Sequence, residues 1–270
     1  MADTSTKQLT DESYWSAMWG QPHRLYERTW TFDPAVQEQL RVIRRLIEQV
    51  RRSERPVRIL EVGCGQSLWL PALAIPGVEV YGIDYSVLGC KQAVDLLTRA
   101  GKHGHIWCED FFASAEHTTE WFDLIISFGF IEHFDDTAVP LRAMYQMLVP
   151  GGLIFATVPN LKGIYGPLQQ RLDIEVYRTH TLLDDQSIAV HAQRAQLTVQ
   201  HAGYIGGAMH LGLLNFKVVR GRWHALLMKV LAMGARSFDL GVMTIITQLG
   251  LSRPNRIGSP YVYLVAQREA

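Results

Sequence analysis

Between Pro56 and Pro159, short unbroken apolar runs alternate with helical patterns, and that rhythm leaves few folds open. The runs fall near Val57–Val62, Val78–Ile83, His105–Cys108, Phe122–Phe128 and Leu153–Val158. Strands that are apolar without alternation are covered on both faces, and helices between them supply the crossovers of a parallel sheet. The spacing predicts helices over Ser67–Ala74, Ser86–Ala100 and Thr137–Leu148, with Ser86 as a cap and Gly101 as a stop. VPGGL at 149–153 reads as the tight turn into the fifth strand. The expected class is α/β, a doubly wound, mostly parallel sheet.

The flanks are less regular. Residues 1–9 are polar and expected to be disordered, and Asp11 and Glu12 then favour a helix start in an aromatic stretch holding Tyr14, Trp15, Trp19, Tyr26 and Trp30. Asp33-Pro34 is a cap and first-turn proline, followed by Leu40, Ile43, Ile47 and Val50 at helical spacing. Past Pro159 the pattern loosens into an irregular segment or lid. A helix over 184–195 with Asp184 as cap, a sixth strand in LTVQHAGYIGG and a last strand in YVYLVAQ at 261–267 follow. Residues 1–55 are therefore expected to form an N-terminal helical lid. Residues 56–270 form the main domain, with a helical insertion around 211–256.

Composition narrows the partners. Lys+Arg and Asp+Glu balance at 26 each, so no basic surplus exists to neutralise a run of phosphates, and nucleic acid is not an expected partner. Cys64, Cys90 and Cys108 fit no CxxC metal or redox spacing, and a sparse, odd count favours a reducing compartment. The polar N-terminus lacks the apolar core of a signal peptide, which makes a cytoplasmic location the expectation. In the apolar stretch Trp223–Leu251, Lys229, Arg236 and Asp239 interrupt the run, leaving it short of the roughly 20 residues that span a bilayer. No stable membrane insertion is expected. The stretch reads as a cover over an apolar pocket, a face for a homodimer, or a contact with a membrane surface.

The chemistry starts at ILEVGCGQSLWLP, residues 59–71, where Gly63 and Gly65 follow the first strand. Ligands of open parallel sheets bind beyond the carboxyl ends of the strands, where strand order reverses. A nicotinamide turn, GxGxxG, fails because Leu68 holds the third glycine's place, and a GxxxxGK phosphate loop fails at the same position. Glu61, two residues before Gly63, would repel a pyrophosphate but suits a cationic amino-acid portion. Asp84 closes the second strand, where a carboxylate accepts from ribose hydroxyls. Asp110, after the third strand, is placed for an adenine amino group, with Phe111 to lie on the ring.

These elements together resemble a class I S-adenosylmethionine-dependent methyltransferase over roughly Pro56–Pro159, with the last strand at 261–267. Glu61, Gly63 and Gly65 match the family's first motif, Asp84 its ribose-binding acid and Asp110 its adenine-contacting acid. FDLIISFGFIEHF and LVPGGLIFATVPN are similar to its fourth and fifth strands. Ser67 stands where many members carry a third glycine. The resemblance implies a seven-stranded Rossmann-like sheet and S-adenosylmethionine as cofactor, with S-adenosylhomocysteine as product. It implies cofactor contacts from Glu61, Gly63, Cys64, Gly65, Asp84, Tyr85, Asp110, Phe111 and Phe128.

Methyl transfer asks the protein to hold an acceptor heteroatom in line and exclude water, with a base where the acceptor carries a proton. His133, after the fourth strand, and His180, after the fifth, are the candidate catalytic residues; the plain alternative is that His133 only caps its loop. Tyr14, Trp15, Tyr26, Glu132, Tyr165 and Tyr177 are candidate substrate or lid residues. The aromatic N-terminal stretch reads equally as a lid or as a helix packed on the sheet. No His/Asp/Glu group shows metal-ligand spacing, so no metal is expected. The expected partner is a small, partly apolar acceptor methylated at oxygen or nitrogen, of secondary-metabolite, sugar or quinone-like type. A membrane-surface methyltransferase of a lipid-like or quinone substrate and a non-catalytic methyltransferase-like partner protein stay open.

Overall fold

A computed structural model describes residues 6–19, 30–52, 54–207 and 253–269, with isolated positions between 213 and 250. The strands are β1 Val57–Val62, β2 Val78–Asp84, β3 His105–Cys108, β4 Phe122–Phe128, β5 Leu148–Pro159, β6 Thr198–Ile205 and β7 Tyr261–Gln267. They form one seven-stranded sheet in the order β3-β2-β1-β4-β5-β7-β6. The first five are parallel, and β7 runs antiparallel to both β5 and β6. Strand order reverses between β1 and β4, which opens the crevice expected of a doubly wound sheet.

The helices are α1 Glu12–Trp19, α2 Pro34–Val50, α3 Trp69–Leu73, α4 Val87–Arg99 and α5 Phe111–His117, then α6 Ala138–Met147, α7 Tyr165–Leu172, α8 Ile174–Arg178 and α9 Asp185–Arg194. Apolar side chains alternate between two cores, one on each face of the sheet. Leu40, Ile43 and Ile47 of α2 pack with Ile59, Leu124, Ile126 and Phe155. Leu141 and Met144 of α6 pack with Leu60, Ile125 and Ile154 on the other face. Each such fully buried aliphatic side chain contributes about 1.5–3 kcal/mol relative to exposure. Caps fall where the sequence puts them: Asp33 accepts from the Ala35 N–H, Ser86 from Gly89, and Asp184 from Ser187.

Some boundaries differ from expectation. β5 begins at Leu148, because Leu148 pairs with Phe122 before the register shifts, and the stretch between Leu148 and Leu153, with Gly151 at φ +81°, takes up the three surplus residues before Leu153 pairs with Leu124. α5 interrupts what reads as loop, started by the Asp110 carboxylate accepting from Ala113. The stretch after β5 holds α7 and α8 instead of irregular chain, with Asp173 accepting from Glu175 and Val176 to start the second. Residues 6–9, expected to be disordered, run beside the chain that follows β4: Gln8 bridges Phe134, and the Leu9 N–H donates to the His133 carbonyl at 2.8 Å. Most of the 211–256 insertion, and the Trp223–Leu251 stretch within it, lies outside the described residues.

Candidate active site

The carboxyl ends of β1 and β2 meet at the glycine turn. Gly63 sits at φ +76°, the left-handed region that favours glycine. At Gly65 a Cβ would come 2.6 Å from the Trp19 indole nitrogen and 2.9 Å from Asp84 Oδ2. The missing side chain is what lets both groups close on the turn. The Gly65 N–H donates to Asp84 Oδ2 and the Ser86 N–H to Oδ1, each at 2.8 Å. Burial raises the Asp84 pKa while these two bonds oppose the shift. Its carboxylate is thus fixed across the turn, with lone pairs left over for a ligand.

Glu61 is buried and accepts from the Ser67 hydroxyl. Burial pushes its carboxyl up to about 8, against the Ser67 bond and with help from the Asp84 charge. Ser67 Oγ also accepts from the N–H groups of Trp69 and Leu70 at 3.0 and 3.1 Å, so it opens α3. Cys64 points the other way. It is fully buried with Leu70 in the core, and burial raises its thiol pKa far above the ordinary value.

Two adjoining cavities run along this edge. The larger, about 390 Å³, reaches from Asp84, Tyr85, Glu109 and Phe111 to Glu132, His133 and His180, beneath Tyr14, Trp15 and Trp19 of α1. The second, about 270 Å³, is lined by Glu61, Gly65, Gln66, Ser67 and Trp69. Gly63, Phe128 and Trp19 line both. Phe128 stacks on Trp69 at 4.0 Å, and Phe111 meets Phe130 edge-on at 5.5 Å. The Tyr85 hydroxyl accepts from Gln8 Nε2 at 3.2 Å. Asp110 is exposed and caps α5; its neighbour Glu109 lines the cavity.

Beyond β4 the chain turns at Gly129, φ +68°, into a short 3-10 turn Ile131–His133. His133 Nδ1 lies 2.7 Å from the Thr179 carbonyl oxygen, and His180 Nδ1 lies 2.7 Å from that of Val176. A carbonyl only accepts, so each Nδ1 carries the hydrogen and each Nε2 keeps its lone pair. Burial and the neighbouring His180 push His133 down to about 3, and burial lowers His180. Glu132 is 1% exposed, and neither of its carboxylate oxygens has a hydrogen-bond partner among the described residues. Burial pushes its carboxyl up to about 8. The Thr181 N–H donates to the Glu132 carbonyl at 2.7 Å, which ties the chain after α8 to this turn.

Glu132, His133 and His180 each bring one donor atom within 4.8 Å of the others, a grouping of metal-ligand type that sequence spacing missed. His180 comes from after α8, so no local motif announces it. Trp19 and Glu109 were missed as well; Trp19 had a signal, one helical turn beyond Trp15, on which it stacks at 5.5 Å. The edge of Trp15 meets the His133 ring at 5.1 Å. Tyr165 is buried with its hydroxyl donating to the Gly258 carbonyl at 3.0 Å, and lines neither of these two cavities. Tyr177 is half-buried and lines neither. Tyr26 falls outside the described residues.

Comparisons with known proteins agree with this geometry. A family model for a methyltransferase domain matches residues 35–202. A ubiquinone biosynthesis O-methyltransferase of Pseudomonas putida strain GB-1 is 30% identical over 141 residues, 51% of this chain and 59% of that protein. The match thus spans little more than half of that relative. Among solved structures, a putative sarcosine dimethylglycine methyltransferase from Galdieria sulphuraria aligns with a TM-score of 0.57 at 14% identity, over 91% of this chain and 97% of that one. A SAM-dependent methyltransferase from Archaeoglobus fulgidus aligns at 0.55 and 15% identity, over 96% of this chain and 100% of that one. These two support the fold alone. From the matched family model and the strand order, the chain belongs to the class I S-adenosylmethionine-dependent methyltransferase domains.

Proposed function

We propose that the protein transfers a methyl group from S-adenosylmethionine to a hydroxyl oxygen of a small, partly apolar molecule. The observation that carries this reading is one cavity joining Asp84 to an uncharged His133. The residues fit the cofactor: Asp84 has unspent lone pairs, the Trp19 indole N–H is buried without a partner, and the glycine turn leaves its backbone open. Asp84 would hold the ribose, Phe111 and Glu109 the adenine, and Glu61 with the glycine turn the amino-acid end. Bound S-adenosylmethionine supplies an electrophilic sulfonium methyl and leaves as the thioether.

His133 is the proton acceptor. Its Nε2 lone pair would take the proton of the acceptor hydroxyl, and the Thr179 carbonyl would stabilise the resulting imidazolium through Nδ1–H. Trp15 covers the ring, and with Tyr14 it excludes water from the reacting atoms. Oxygen is favoured over nitrogen by the similarity to the Pseudomonas O-methyltransferase. The test is incubation with methyl-labelled cofactor and a panel of phenols, scoring S-adenosylhomocysteine and the added methyl by mass spectrometry. Tight binding of NADH with none of S-adenosylhomocysteine would reject the reading.

A further inference from the structure

We infer that Glu132 selects the acceptor by charge: the group beside the reacting hydroxyl must donate hydrogen bonds, and an anionic group there is refused. The inference rests on the larger cavity being the acceptor site of the proposed reaction. Two independent observations support it. The Glu132 carboxyl is 1% exposed, lines that cavity, and has no partner for either oxygen. Buried polar groups are nearly always partnered, so a bare carboxyl in a pocket wall marks the place of a ligand's donors.

The second observation is the charge of the wall. Among the described residues lining the cavity there are three acids, Asp84, Glu109 and Glu132, and no lysine or arginine. His133 and His180 offer lone pairs and stay uncharged. Once Glu132 is ionised, above its pKa of about 8, a carboxylate or phosphate on the acceptor meets like charge, and no lysine or arginine among the described lining residues offsets it, an arrangement that suppresses wrong partners. An ammonium would meet a carboxyl and the aromatic faces of Tyr14, Trp15 and Phe130, which suit a cation. The donor atoms of Glu132, His133 and His180 lie within 4.8 Å of one another. One acceptor can therefore place its reacting hydroxyl on His133 and its neighbouring substituent on Glu132.

The test uses three phenols that differ only in the group next to the hydroxyl: 2-(aminomethyl)phenol, 2-(hydroxymethyl)phenol and salicylate. Their dissociation constants are measured by calorimetry at pH 9, where Glu132 is ionised, on the full chain saturated with S-adenosylhomocysteine. The aminomethyl compound should bind tightest, and salicylate about 10-fold or more weaker than the hydroxymethyl compound. Glu132→Gln should remove the aminomethyl advantage and bring salicylate within about three-fold of the neutral compound. Salicylate binding as tightly as the others would overturn the inference, and so would an unchanged order in Glu132→Gln. A divalent cation fits the same three donors, so binding of all three phenols that vanishes in EDTA and returns with Zn²⁺ would also overturn it. The wild-type order does not depend on any variant folding. Failure of the proposed reaction reads differently, as no methyl transfer to any phenol or no affinity for S-adenosylhomocysteine.

Discussion

The two halves of the sheet's carboxyl edge handle their buried acids in opposite ways. On the β1–β2 side the acids are held by the protein itself: Asp84 by the Gly65 and Ser86 N–H groups, Glu61 by Ser67. On the β4 side the Glu132 carboxyl is as deeply buried and has no hydrogen-bond partner among the described residues, while His133 and His180 spend their N–H groups on backbone carbonyls. The first half is organised before any ligand arrives and presents spare lone pairs. The second is finished only by what enters it. On the proposed reading, the half that would hold an invariant cofactor can be built complete, whereas the half that would tell acceptors apart gains discrimination by leaving a group unsatisfied.

Four experiments would break or sharpen this contrast. His133→Ala should lower kcat about 100-fold or more, the scale of a positioned proton acceptor, with the S-adenosylhomocysteine dissociation constant nearly unchanged by calorimetry. Equal losses in both would dissolve the division between halves. Asp84→Ala should raise that dissociation constant about 10- to 100-fold, from hydrogen bonds to a charged group of about 1.5–3 kcal/mol. Unchanged affinity would remove Asp84 from the cofactor.

The third concerns pH. Glu132 has a folded pKa of about 8 against an ordinary 4.5, so between those values the folded chain binds the extra proton and stability falls as pH rises. His133, held near 3 against 6.5, acts in the other sense and costs stability as pH falls below 6.5. Glu132→Gln should therefore raise Tm by about 3–6 °C near pH 8.5, for about 1–2 kcal/mol, and by much less near pH 5. A gain that is the same at both, in a thermal scan, would mean the carboxyl already has a partner. Ser67→Ala is the smallest: it takes a donor from Glu61 and a cap from α3, for a Tm loss of about 2–4 °C. No loss would show that the cofactor half is less preorganised than its bonds suggest.

The same contrast explains what the sequence disclosed. Strand positions were legible because β1, β2 and β4 are buried on both faces and so read as continuous apolar runs. The helix caps at Asp33, Ser86 and Asp184 are local hydrogen bonds, which composition announces directly. Glu61 to Ser67 and Asp84 to Ser86 are likewise short stretches whose geometry is made by near neighbours. His180 reaches His133 only through the turn after α8, pinned by Thr181 to the Glu132 carbonyl, and no spacing rule contains that contact. Asp110 shows the other limit. An acid after β3 can face a ligand or start the next helix, and its neighbour Glu109 takes the cavity wall while Asp110 starts α5. The early start of β5 depended on a register shift between Leu148 and Leu153, which a count of apolar residues does not register.

Of the three residues that border both chambers, Trp19 alone is contributed by α1 and not by the sheet edge. Walls of backbone are permanent, but a side chain is a door hung on two torsions. Swinging that indole aside would merge the two compartments into one space lined from Ser67 to His180, with every strand left where it is.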